Sequence, residues 1–164
     1  MRLYLLRHGH SPSLADSGAV KDFDRPLSET GREAVRQTVG YLILQGGRPS
    51  LILHSPLRRA AETAQEAADL LEPSKGLEPF APLSNAMPAD ELLEELSPRI
   101  SGLEEALAVG HQPQLGELAA FLTGSILELR AGGIIALELV SEKQARILWS
   151  RNPGEAPPPP RKGP

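Results

Sequence analysis

The chain contains no cysteine, which removes disulfide bridges, thiol nucleophiles and thiolate-held zinc from consideration. Aromatic residues are scarce as well, with one Trp, two Tyr and three Phe among 164 residues, so the core has to be built from aliphatic side chains. No apolar run approaches the roughly 18 to 20 residues needed to cross a bilayer. The opening stretch offers only about five apolar residues before charge returns, too few for the core of a secretory signal. These absences lead to the expectation of a cytoplasmic protein with no membrane partner. Long basic runs are missing too: 17 Lys and Arg stand against 21 Asp and Glu, a net charge of −4. A nucleic acid is therefore not an expected partner.

What is present is enough for one domain. At this length, with 40% hydrophobic residues, a single core can bury roughly 70% of the surface of the unfolded chain. Leu3-Tyr4-Leu5-Leu6, ended by Arg7-His8-Gly9, suits a strand buried on both faces that carries polar groups at its C-terminal tip. A loop follows over residues 9–28. Thr30 and Glu33 form the pattern of a capping box, and Val35, Val39 and Leu42 recur at helical spacing until Gly46-Gly47. Leu51-Ile52-Leu53 makes a second buried strand, after which Ser55-Pro56 reads as an N-cap with proline at the first helical position. The helix behind it carries Ala60, Ala64, Ala67 and Leu71.

Four prolines, at 73, 79, 82 and 88, break the next stretch into loops around an edge strand, and a short helix is expected over residues 89–96. Ala106-Leu107-Ala108-Val109 is a third strand closed by Gly110-His111, and Leu115, Leu118, Ala119 and Leu122 mark a helix ended by Gly124. Residues 134–140 and 145–149 read as a hairpin. Strands alternating with helices predict an α/β domain with a mainly parallel sheet and a C-terminal hairpin over residues 1–151. Residues 152–164, with four consecutive prolines, are expected to form a disordered tail.

Three apolar runs thus end in polar tips: Arg7-His8, His54-Ser55 and Gly110-His111. Ligands of open parallel sheets sit beyond the carboxyl ends of the strands, so these tips should converge on one crevice. They supply imidazole and guanidinium. Guanidinium matches phosphate oxygens bidentately and stabilises the charge that spreads in the transition state. A neutral imidazole can attack phosphorus and become a transient phosphohistidine, while a second imidazole donates to the phosphoryl oxygens or the departing atom. Arg7, His8, Arg59 and His111 fit those roles. His54 and His10 read more readily as structural histidines, and the acidic run Asp90, Glu91, Glu94 and Glu95 as the wet face of a short helix.

Leu6-Arg7-His8-Gly9, Arg25-Pro26-Leu27-Ser28-Glu29-Thr30-Gly31, the segment Ser55-Pro56-Leu57-Arg58-Arg59-Ala60-Ala61-Glu62-Thr63-Ala64, and Val109-Gly110-His111-Gln112-Pro113 resemble, in order and spacing, the histidine phosphatase superfamily. The compact length is similar to its SixA-type phosphohistidine phosphatase branch. The resemblance covers about residues 1 to 150 and implies a three-layer α/β/α, phosphoglycerate mutase-like fold. It makes His8 the nucleophile, His111 the second catalytic histidine, Arg7 and Arg59 the phosphate-binding arginines, with Arg59 rather than Arg58, and Arg25 a further pocket residue. Larger members carry a glutamate general acid in a longer insertion. Asp90 and Glu91 lie in the matching stretch here and are the candidates, with Asp24 a loop alternative.

The implied activity is that of a metal-independent, cofactor-free phosphatase acting through a phosphohistidine intermediate on a phosphorylated protein, with phosphohistidine as the substrate group. An imidazole leaving group needs little help from an acid. The alternatives are a phosphomonoesterase acting on a small phosphorylated metabolite, a metal-dependent hydrolase using His8, His10, His54 and His111, and a phosphate-binding module without turnover.

Overall fold

The computed structural model describes residues 1–156, and the four prolines at 157–160 lie outside the described residues. Six strands form one sheet in the order β3-β2-β4-β1-β5-β6. The strands are β1 (Arg2–Arg7), β2 (Leu51–His54), β3 (Leu77–Pro79), β4 (Glu105–Gly110), β5 (Ile134–Ser141) and β6 (Gln144–Arg151). β1, β2, β3 and β4 run parallel, and the β5–β6 hairpin joins antiparallel along β1.

The apolar runs are continuous because the sheet is covered on both sides. Tyr4, Leu6, Ile52, Leu107, Val109 and Ile134 share a core with α2 (Glu29–Leu44) and α3 (Arg58–Leu71). Their sequence neighbours Leu3, Leu5, Leu51, Leu53, Ala106, Ala108 and Ile135 share the opposite core with α4 (Ala89–Ile100) and α5 (Gln114–Thr123). Alternation of period two sends successive residues to opposite faces, and here both faces are dry. The result is the three-layer α/β/α architecture. Ala60, Ala64 and Ala67 are fully buried at helical spacing, and their small side chains let α3 lie close to the sheet.

Several helix starts and ends differ from the sequence expectation. The N-cap of α2 is Ser28, whose Oγ accepts from the Gly31 N–H at 3.0 Å; Thr30 and Glu33 form no capping box because the helix begins at Glu29 and Thr30 already lies in its first turn. Helix α3 starts at Arg58. Ser55 is not its cap, because the Ser55 N–H continues the sheet ladder to the Val109 carbonyl at 2.9 Å. Helix α4 runs past Pro98 to Ile100. Burial of Leu96 and Ile100 in the core outweighs the backbone bond that proline removes. The loop over residues 9–28 contains α1 (Leu14–Ser17), which Ser13 caps and Gly18 ends at φ +69°, and a 3₁₀ turn over Asp22–Asp24.

Asn152, expected in the tail, is 4% exposed. Its Oδ1 accepts from the Arg130 N–H at 2.7 Å and its Nδ2 donates to the Glu128 carbonyl at 3.1 Å. The folded unit therefore extends past residue 151, because the buried Asn152 amide ties down the backbone on either side of buried Leu129. Among the described residues no helix is long and apolar enough to cross a membrane.

Candidate active site

Parallel register brings the strand tips to one level: Arg7 lies beside Gly110, and His54 beside Val109. The His8 N–H extends the β1–β4 ladder to the Gly110 carbonyl at 3.0 Å. From α3, the Thr63 hydroxyl accepts the Gly9 N–H at 3.0 Å and donates to the Arg59 carbonyl at 2.7 Å. One buried threonine thus ties the His8 turn to the helix that carries Arg59.

Around these tips lies a cavity of about 400 Å³ lined by Arg7, His8, Asp22, Arg25, Leu57, Arg59, Ser84, Asn85, His111 and Gln112. The sequence candidates Arg7, His8, Arg25, Arg59 and His111 are all among them. The remaining candidates are not. Arg58 points outward and pairs with Glu62 at 2.8 Å. His54 is buried with Nδ1 donating to the Ser55 carbonyl at 2.8 Å, and His10 bonds the Ser28 hydroxyl at 2.7 Å. Asp90 lines a different cavity, between α4, α5 and the β5–β6 turn, and Glu91 is exposed on α4. Neither lines the cavity at His8; the cavity that Asp90 lines is reached by Met1, at the end of β1 opposite Arg7 and His8.

The rings of His8 and His111 lie 5.1 Å apart between centroids. His8 Nδ1 donates to the Gly9 carbonyl at 2.7 Å, which fixes the tautomer and leaves Nε2 with a free lone pair. Burial, followed by the charges of Arg59, Arg7 and Arg25, pushes its pKa down to about 4, against an upward pull from the Gly9 hydrogen bond. His111 is pushed down to about 3, chiefly by burial and then by His8 and Arg59. Both rings are therefore neutral at pH 7.

His111 Nε2 sits 2.7 Å from Ser55 Oγ. Ser55 Oγ also accepts the Leu57 N–H at 3.2 Å; with its own hydrogen given to His111 Nε2, the ring carries its hydrogen on Nδ1. Sequence reasoning missed this part for Ser55. The signal was its position at the end of β2, level with the strand that delivers His111.

Three guanidiniums frame the cavity. Arg7 Nη1 donates to the Leu129 carbonyl at 3.0 Å, and Arg7 Nε is buried with no hydrogen-bond partner. An unpaired donor of that kind is costly unless an anion takes it up. Arg59 is 9% exposed; Nη1 donates to the Asp22 carbonyl at 3.0 Å and Nη2 to Asp22 Oδ2 at 3.2 Å. Arg25 is held by the carbonyls of Pro12 and Ser11, and its Nη1 donates to Asp22 Oδ1 at 2.9 Å.

Asp22 is the second residue that sequence reasoning missed. It is the one carboxylate lining the cavity, and the hydrogen bond from Arg25, with the nearby Arg59, holds it below the usual carboxylate range. Asp24, the loop alternative, does not line the cavity. Among the described residues no three His, Asp or Glu side chains group as a metal site.

The opposite wall is stitched by amides. Asn85, at φ +67°, accepts the Gln114 N–H at 3.1 Å and donates to the Gln112 carbonyl at 3.1 Å. Buried Gln114 returns the bond to the Asn85 N–H at 3.1 Å and donates to the Pro82 carbonyl at 2.9 Å. A rigid basic cavity with two neutral imidazoles is equipped to hold a phosphoryl group and attack it from nitrogen.

Residues 3–79 match the family described as the histidine phosphatase superfamily, branch 1. An uncharacterised protein of Picosynechococcus sp. is 35% identical over 145 residues, covering 84% of each chain. The phosphohistidine phosphatase SixA of Escherichia coli K12 is 30% identical over 125 residues, covering 74% of each. Among solved structures, the protein histidine phosphatase SixA complexed with tungstate superposes with a TM-score of 0.82 at 24% identity, over 92% of this chain and 96% of that one.

Proposed function

The chain belongs to the histidine phosphatase superfamily, and from that premise we propose that it removes phosphate from phosphohistidine on a protein, without a metal, through a covalent intermediate on His8. His8 Nε2 attacks phosphorus, and the electron pair of the breaking bond leaves with the substrate nitrogen. Arg7, Arg25 and Arg59 hold the phosphoryl oxygens, and His111 donates to them from Nδ1. Water then attacks phosphorus, releasing inorganic phosphate and restoring the His8 lone pair. The observation that carries the reading is a neutral His8, its Nε2 free, inside a ring of three guanidiniums.

What supports this substrate class over a phosphate ester is that the lining side chains include no proton-bearing carboxylic acid. The one carboxylate there, Asp22, is kept ionised, so a strongly basic alkoxide would leave without a carboxylic acid to protonate it. A phosphorylated imidazole that carries hydrogen on its other ring nitrogen leaves as neutral imidazole, a far weaker base, and needs no such acid.

The test is phosphate release from a phosphohistidine-bearing protein and from sugar phosphates, each in excess EDTA. The expected result is turnover that survives EDTA and favours the phosphohistidine protein. Equal or better turnover of the sugar phosphates would transfer the function to a small metabolite. Activity lost in EDTA and restored by zinc or manganese would make the histidines ligands.

A further inference from the structure

Every donor of Arg25 that the structure pairs is already committed, two to the backbone of residues 11–12 and one to Asp22. Arg59 spends one nitrogen on the Asp22 carbonyl and another on its carboxylate. If Asp22 served only to steady these arginines, a buried carboxylate would do so best. Instead its side chain is 61% exposed while still lining the cavity, so it stands at the mouth. His8 directly follows the last residue of β1, and a group expelled in line from phosphorus moves away from it. Apart from the arginines and histidines, the lining side chains other than Asp22, namely Leu57, Ser84, Asn85 and Gln112, are all uncharged.

Resting on the phosphohistidine reading above, we propose that Asp22 is a specificity-determining residue: its carboxylate accepts the hydrogen on the far ring nitrogen of a phosphorylated imidazole and so favours N-phosphorylated over O-phosphorylated substrates. The chemistry balances without a proton transfer. In the form Asp22 selects, one substrate ring nitrogen carries the phosphoryl group and the other carries hydrogen, so the ring is cationic. His8 Nε2 forms its bond to phosphorus, the substrate's P–N bond breaks, and the bonding pair returns to the ring nitrogen. What departs is neutral imidazole, already holding its hydrogen on the nitrogen that faces Asp22. The absence of a carboxylic acid in the cavity is then a matched feature, since the proton arrives with the substrate.

Charge at the mouth adds discrimination in the same direction. Three guanidiniums and one carboxylate leave the lining with a net charge of about +2, counting Arg7, Arg25, Arg59 and Asp22, which balances the charge of a phosphoryl dianion. A sugar or alkyl phosphate presents hydroxyls to Asp22 and no cation. A phosphorylated imidazolium presents a cationic N–H, and hydrogen bonds to charged groups are the strong class.

The experiment compares kcat/KM for a phosphohistidine peptide and for p-nitrophenyl phosphate in the wild type, Asp22→Asn and Asp22→Glu. Asp22→Asn keeps the shape and removes the charge. The expected result is a fall of about tenfold in the ratio of the two kcat/KM values, the scale of one lost charge-assisted hydrogen bond, with Asp22→Glu recovering part of it. A ratio unchanged in Asp22→Asn, with both substrates weakened alike, would make Asp22 a support for Arg25 and Arg59 and overturn the proposal. So would a ratio that rises. These outcomes are separable from failure of the functional reading, which would show in the wild type itself as no preference for the phosphohistidine peptide and would remove the basis of the inference.

Discussion

Acidifying the free protein should leave His8 neutral far below the pH at which an ordinary histidine takes up a proton. An unperturbed imidazole titrates near 6.5; in the cavity, burial and the charges of Arg59, Arg7 and Arg25 bring His8 down to about 4. At pH 5 the first value leaves only about 3% of the ring neutral, and the second about 90%. The nucleophilic fraction therefore differs by roughly thirtyfold between the two cases. The sign follows from the site: burial disfavours the charged ring, and Arg59, Arg7 and Arg25 each oppose protonation, together outweighing the upward pull of the Gly9 hydrogen bond.

The assay is a histidine side-chain NMR titration of the ligand-free protein. With four histidines in the chain, His8 is assigned by its loss in His8→Ala. The expected midpoint lies near 4. A His8 midpoint between 6 and 7 would refute the reasoning, because it would mean that neither burial nor the guanidiniums act on that ring.

Arg59→Ala should cost roughly 10²- to 10³-fold in kcat/KM, several kcal/mol of transition-state stabilisation, whereas Arg58→Ala, which removes only an exposed pair with Glu62, should leave steady-state kinetics within about twofold. Equal losses in the two variants would contradict the assignment. Ser55→Ala leaves His111 Nε2 without its buried partner and should lower kcat about tenfold; the unsatisfied nitrogen should also destabilise the fold by about 1–3 kcal/mol in denaturant melts. Gly9→Ala places a Cβ 2.7 Å from Leu27 Cδ1 and 2.9 Å from the Gly31 carbonyl oxygen. The crowding should cost about 1–3 kcal/mol and lower Tm by several degrees in calorimetry; an unchanged Tm would show that the turn gives way freely.

The parts of this molecule that were legible in the sequence are those set by local pattern. Leu3-Tyr4-Leu5-Leu6 and Ala106-Leu107-Ala108-Val109 announce strands with two dry faces, and their polar ends announce where the site lies. Arg7, His8, Arg25, Arg59 and His111 stand next to apolar runs or turns with recognisable spacing, and the cavity holds all five. Asp22 was invisible because it sits in a loop without periodicity. Its importance comes from Arg25 and Arg59 reaching it, 37 residues away in the case of Arg59.

Ser55 was read locally as a cap, yet a long-range ladder bond to Val109 turned it toward His111. Asp90 and Glu91 lie outside the cavity for the converse reason. Their place in the chain suited the role, but α4 packs on the other face of the sheet and carries Asp90 to a separate cavity. Pro98 shows the same override in the fold, since buried Leu96 and Ile100 keep α4 helical past a residue that sequence rules treat as a stop.

The central claim is a covalent phosphohistidine on His8, and its most direct test is to quench the enzyme during turnover of a labelled phosphohistidine protein, in EDTA, and locate the label. The account predicts a phosphoryl group on His8, lost in acid and stable in alkali, and absent from His8→Ala. Label that persists in His8→Ala, or turnover by that variant at the wild-type rate, would contradict it.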